Sequence, residues 1–140
     1  MFTLALLALA GPLPPIDRTP EQARGVLQRY YAAIDRGNYR GAYRLWSGNG
    51  RASGQSCAAF TRGFARTAHT RAVVGKPTDG EGAAGSVFVT VPVRVYATLK
   101  NGRRQQFAGS YVLRRVNDVD GATRGQLSWH LSSARLRAAG

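Results

Sequence analysis

One cysteine, two histidines and seven acidic residues are all that this 140-residue chain offers for the commoner kinds of site chemistry. With Cys57 alone, no internal disulfide can form and no Cys/His spacing of the zinc kind exists. Phe60 and Phe64 follow it at helical spacing, so the thiol is expected on a buried stripe as a small apolar residue. Glycine-rich phosphate loops and Ser-His-Asp nucleophile signatures are missing too, so no cofactor or metal is implied. The only continuous apolar run is Phe2 to Ala10, and a bilayer span needs about 20 such residues. Its length suits the core of a secretory signal. Ala8-Leu9-Ala10 before Gly11 has the small-x-small cleavage pattern, although the usual basic residues in front are absent. Export to the periplasm or cell envelope is expected, with residues 1–10 removed and residues 11–18 a proline-bearing linker. Residues 19–137 then form a single domain, since a second core usually needs more chain.

Scarcity of acid leaves a formal charge of +13, which invites a nucleic-acid reading. Eighteen of the 20 basic residues are arginine, spread from Arg18 to Arg137, with no basic run longer than two. Scattered arginines are usually solvated surface, so no specific nucleic-acid partner is expected. A weak, salt-sensitive attraction to anionic surfaces is.

Thr19-Pro20-Glu21-Gln22 reads as a helix start with Thr19 as cap. Ala23, Val26, Leu27, Tyr30, Tyr31 and Ile34 share one face, and Gly37 ends the helix. Asn38 begins a second helix through Trp46, and a third is expected from about Ser56 to Arg66. The period then changes. A short strand over Arg71 to Gly75 and a glycine-rich loop from Thr78 to Gly85 precede seven alternating apolar positions from Val87 to Leu99. Asn101-Gly102 is the preferred pair for a two-residue type I′ turn into a strand from Arg104 to Val116. A last strand is expected from Gln126 to about Arg137, after a hairpin connection at Asn117-Asp118-Val119-Asp120-Gly121.

That two-residue turn creates a conflict. It pairs Lys100 with Arg103, hence Pro92 with Tyr111 in a hydrogen-bonded position, and proline has no N–H to give. Either the turn length, the regularity of the ladder or the placement of Pro92 on an edge must yield. A bulge near Pro92 or Gly109 is the expectation. In this register one face of the hairpin carries the valines with Val112 and Val116. The other carries Phe88, Tyr96, Phe107, Tyr111 and Leu113, so both faces need cover.

The helix-glycine-helix opening and the closing Trp129-His130-Leu131-Ser132-Ser133-Ala134-Arg135-Leu136 resemble the nuclear transport factor 2-like superfamily, with its SnoaL-like and ketosteroid isomerase-like members. The resemblance covers about Glu21 to Leu136. It implies an α+β fold in which three N-terminal helices pack on a curved antiparallel sheet, a cone-shaped barrel with a pocket. It also implies homodimers through the sheet. Arg29-Tyr30 is similar to the isomerase helix whose tyrosine donates to the substrate oxyanion, which would make Tyr30 that donor. The accompanying carboxylates are missing: Ser47 to Gly54 holds no Asp or Glu, and the strand that should carry a second acid has Tyr111, Arg114 and Arg115. Proton abstraction needs a base within reach.

Expected pocket residues are Tyr30, Tyr31, Tyr43, Trp46, Arg94, Tyr111, Trp129 and His130; Asp35 could pair with an arginine such as Arg94, but an interhelix or surface ion pair is the favoured expectation. The favoured function is a non-catalytic pocket domain for a small apolar or amphipathic ligand or a protein partner. The alternatives are a SnoaL-like enzyme using Tyr30 and His130, and an arginine-driven polyanion-binding module. If the export reading holds, mass spectrometry of native material should find a chain that begins near Gly11; retention of residues 1–10 would sink it.

Overall fold

In the computed structural model, residues 18–117 and 121–140 are described. The apolar N-terminus, the linker through Asp17 and the Asp118–Asp120 part of the expected hairpin connection lie outside them. Helix α1 (Pro20–Asp35) starts as its sequence requires: Thr19 Oγ1 accepts from Gln22 N at 3.3 Å, with proline in the first turn. It ends in a Schellman arrangement, with Asn38 N donating to Ala33 O and Gly37 N to Ile34 O. Its buried face is Ala23, Val26, Leu27, Tyr30, Tyr31, Ala33 and Ile34.

Two short helices follow. Helix α2 (Tyr39–Tyr43) is capped by Asn38 and stops before Trp46. The chain there runs beside the last strand instead: Ser47 N donates to Leu131 O and Leu131 N to Leu45 O, both at 2.8 Å. A 3-10 turn (Arg51–Ser53) leads to α3 (Cys57–Arg62), capped by Ser56. This helix is shorter than expected, and Cys57 is only half-buried; Phe60 supplies the buried contact, at 4% exposure.

The sheet is antiparallel, in the order β1 (Thr67–Val74), β3 (Ser86–Leu99), β4 (Arg104–Val116), β5 (His130–Ala138). A short β2 (Glu81–Ala83), which the glycine-rich sequence did not announce, pairs with the start of β3. Its two-residue turn uses Ala84 and Gly85, both at positive φ. Between β4 and β5 a single turn of helix, α4 (Arg124–Leu127), carries a reciprocal Thr123/Gln126 capping box, so Gln126 is helical and the last strand begins later than expected.

The expected two-residue turn is replaced by a three-residue one. Leu99 N donates to Arg103 O and Gly102 N to Leu99 O, enclosing Lys100, Asn101 and Gly102. Only Gly102 has positive φ, +89°, whereas a type I′ turn needs it at both central residues. Asn101 Oδ1 instead accepts from Arg103 N at 2.9 Å. The extra residue shifts the register by one, so Pro92 pairs with Ser110 rather than Tyr111. Counting by twos from the Leu99–Arg103 closure, Pro92 falls in a pair that exchanges no hydrogen bonds with β4. The β3–β4 ladder therefore runs past Pro92 without the expected bulge.

The missing N–H is felt on the other edge. Gly75 N donates to Pro92 O, but nothing returns, and β1 stops at Val74. Thr78 takes over the edge, donating to Thr90 O and accepting from Thr90 N through its hydroxyl. Irregularities sit elsewhere, between Thr67 and His69 and between Val112 and Leu113.

The register shift sorts the faces. Val89, Val91, Val93 and Val95 now share the inner face with Tyr111 and Leu113, under α1. Burying a tyrosine and a leucine together favours this register by several kcal/mol, at roughly 1.5–3 kcal/mol per large side chain. Turn preferences differ by less than that. The outer face receives Phe88, Pro92, Arg94, Tyr96, Ala108 and Val112, a more polar set than the expected one.

Gly109 leaves no room for a side chain against β5: a Cβ there would run into the Arg135 carbonyl. Gly109→Ala is expected to cost 3 kcal/mol or more (roughly the scale of a backbone clash that nothing can relieve). Gly102→Ala, which only forces alanine into a left-handed turn position, should cost about 1 kcal/mol. Urea unfolding of the two variants checks the order, and equal midpoints would refute it.

Candidate functional site

Two regions carry the chemistry, and they do not overlap. Inside the cone, Tyr30 sits at the centre of a packed aromatic cluster. Its ring lies 5.0 Å from that of Tyr31, 5.9 Å from Tyr111, and 6.3 Å from both Trp46 and Phe60. The hydroxyls of Tyr31 and Tyr111 are 2.5 Å apart, and Trp46 Nε1 donates to the Tyr30 hydroxyl at 3.3 Å. All four side chains are at most 7% exposed. Three phenols thus share a few donors and acceptors among themselves, which is how buried hydroxyls avoid an unpaired cost of roughly 1–3 kcal/mol each.

Burial pushes all three phenols above their usual range, chiefly by penalising the phenolate; charge repulsion between neighbouring tyrosines adds to it, and the Tyr31–Tyr111 hydrogen bond offsets part of it at Tyr31. They are neutral donors at ordinary pH, unable to serve as bases or nucleophiles. Among the described residues no Asp or Glu side chain is buried.

The other expected pocket residues are dispersed. Tyr43 packs its ring on Phe60 and donates its hydroxyl to Gln55 O at 2.7 Å. Trp129 is buried, and its Nε1 donates to Thr19 O at 2.9 Å, pinning the start of α1 to the entrance of β5. Arg94 is exposed on the outer face of the sheet, away from the cluster. Asp35 does not reach it, and instead accepts from Thr70 N at 2.9 Å and lies 3.5 Å from His69 Nδ1. His69 itself lies on β1.

His130 belongs to the second region, a cleft of about 420 Å³ at one end of the sheet. The α2 exit contributes Arg44 and Ser47, the end of β4 contributes Arg114 and Arg115, and the α4 turn contributes Thr123, Gln126 and Ser128. His130 Nδ1 lies 3.0 Å from Ser128 O, so this nitrogen carries the proton and Nε2 is left toward other partners. Arg114 Nε donates to Ser86 Oγ at 2.9 Å, which fixes the root of its guanidinium. The Arg115 guanidinium lies 5.5 Å above the Trp129 ring. Among the described residues no carboxylate lines the cleft. Such an array can hold an anion, and it offers hydroxyl and amide groups for orientation.

Reading the sequence missed Arg44, Ser47, Arg114, Thr123 and Gln126. Only the Arg114-Arg115 pair gave a signal. Arg44 comes from 70 positions upstream, and the alignment of the two segments depends on the Trp46–Leu131 bridge. Among the described residues no group of three or more His, Cys, Asp or Glu could hold a metal ion, and no helix is long and apolar enough to cross a membrane.

No family model matches the chain, and no curated protein does. Solved structures do. The chain is similar to the Kfla4162 protein from Kribbella flavida, at 17% identity and a TM-score of 0.58, covering 86% of this chain and 90% of that one. It is also similar to a putative aromatic ring hydroxylase from Novosphingobium aromaticivorans, at 15% identity and a TM-score of 0.56, covering 86% and 95%. At these identities the likeness establishes the fold: the α+β cone of the SnoaL and nuclear transport factor 2-like proteins.

The tyrosine cluster predicts an alkaline limit to stability. Folded phenols titrate above the ordinary value of 10.0, so their contribution is fully present below that pH and is lost as pH rises from there through the folded values. With three groups the loss should approach about 4 kcal/mol per pH unit. Ultraviolet titration should show three of the six tyrosines ionising only together with unfolding. Six independent phenols titrating in the folded protein would contradict the packing described.

Proposed function

We propose that this protein is a binding domain which holds a small anionic ligand, bearing a carboxylate, phosphate or sulfate, in the Arg44–Arg114–His130 cleft. The observation that carries this reading is the cleft's lining: three arginines, a histidine and several neutral polar groups around about 420 Å³, with no carboxylate among the described lining residues. The volume suits a small molecule. The packed aromatic cluster inside the cone supports the same reading. Tyr30 is engaged with Trp46 and the other phenols, and His130 lines the outer cleft, so the two share no lining on which a SnoaL-like reaction would draw. This reading differs from the expected small apolar or amphipathic ligand or protein partner in placing a polar ligand at the end of the cone.

Arg44 is exposed and makes no ion pair among the described residues, so its removal tests binding without disturbing the core. A panel of inorganic phosphate, sulfate and aliphatic and aromatic carboxylates, followed by calorimetry, should yield at least one ligand whose affinity falls about tenfold or more in Arg44→Gln. Loss of one charge-assisted hydrogen bond, worth roughly 1.5–3 kcal/mol, sets that scale. Asp118 and Asp120 are the acids nearest in sequence to cleft residues Val116 and Thr123. Their replacement by asparagine should leave affinity unchanged or raise it. Binding that is indifferent to Arg44, or that requires the two aspartates, would refute the reading.

A further inference from the structure

The outer face of the sheet presents a second positive surface, separate from the cleft. In one cross-strand row Val73, Arg94, Ala108 and Arg137 stand side by side on β1, β3, β4 and β5. The next row toward β2 holds Pro92, Ser110 and Arg135; the row on the other side holds Arg71, Tyr96 and Gln106. Opposed residues share a face of the sheet, so Arg71, Arg94, Arg135 and Arg137 all project outward. All four are exposed, and none forms an ion pair among the described residues. Between them runs a shallow groove of about 420 Å³, floored by Gly75, Pro92 and Ala108 with half-exposed Val73 at its edge.

We infer that this face docks on an anionic phospholipid surface, with the four guanidiniums on lipid phosphates. The chemistry between the arginines separates this occupant from others. A protein interface needs a central anchor, usually aromatic or a large aliphatic side chain in a desolvated pocket. The centre here is Pro92, Ala108 and Ser110, which offer none. A nucleic acid would use exposed rings for stacking, and Tyr96 is already covered by the Arg71 guanidinium at 4.5 Å from its ring centroid. A second copy would set arginines against arginines across a two-fold axis. A lipid surface asks only for distributed phosphate partners, which arginine binds through paired N–H groups, and tolerates a small apolar floor.

The test is co-sedimentation of the whole protein with vesicles of phosphatidylcholine containing phosphatidylglycerol, against phosphatidylcholine alone, at low and high salt. Binding should require the anionic lipid and fade with salt. Each arginine removed from the face should weaken partitioning about fivefold, so Arg94→Gln with Arg137→Gln should lose on the order of 25-fold. Arg29→Gln with Arg36→Gln removes the same charge from exposed positions on α1 and at its C-terminal cap and should lose little. Equal losses in both pairs would mean that net charge alone drives binding and would overturn the assignment. So would a face variant that keeps vesicle binding but loses affinity for a single-stranded oligonucleotide or an acidic polysaccharide. Arg44→Gln bears on the cleft and should leave vesicle binding in place.

Discussion

The three-residue turn at Lys100–Gly102 sets the phase of the sheet on which everything else rests. A strand has a side-chain period of two, so one residue more or less in the turn exchanges the two faces of β4. With three residues, Tyr111 and Leu113 meet the valines of β3 beneath α1, and the hydroxyl of Tyr111 comes to that of Tyr31. With two, Tyr111 would stand outside and Tyr31 would lose its buried partner. The same phase turns Pro92 away from the β4 ladder and lets β1 end at Val74, where Thr78 covers the edge.

At the centre of the interior that results, aromatic side chains pack against one another. Tyrosine brings a large ring and a polar tip, and a buried tip must find a partner. Tyr30, Tyr31, Tyr111 and Trp46 solve this among themselves. The cone fold shared with the similar solved structures is here stabilised at its centre by neutral hydroxyls, and the space for polar recognition lies at the end of the sheet, where β4, β5 and the α2 exit converge.

Charge distribution follows from how few acids there are and where they are used. Glu21 holds Arg24, and Asp35 holds Thr70 N and His69, so these two serve local joints between α1 and its surroundings. Arg44 in the cleft and Arg71, Arg94, Arg135 and Arg137 on the outer face make no ion pair among the described residues and keep their fields. Net positive charge costs some compactness through self-repulsion, and it raises encounter rates with anionic partners.

The sequence by itself determined the elements whose signals are local. Thr19-Pro20 and Gly37 bound α1 because capping geometry involves only a few neighbouring residues. The valine alternation of β3 was legible because a strand buried on one face repeats every two residues. Tyr30, Tyr31 and Trp46 could be recognised as interior residues from helical spacing. Tertiary structure decided what depends on long-range competition. Asn101-Gly102 is compatible with two turn lengths, and the burial of Tyr111 and Leu113, some ten residues away, chose between them. Gln126 left the last strand for a capped turn, and Cys57 yielded the buried position to Phe60. The cleft was illegible for the same reason: Arg44, Arg114 and His130 become neighbours only after Trp46 has been laid against Leu131.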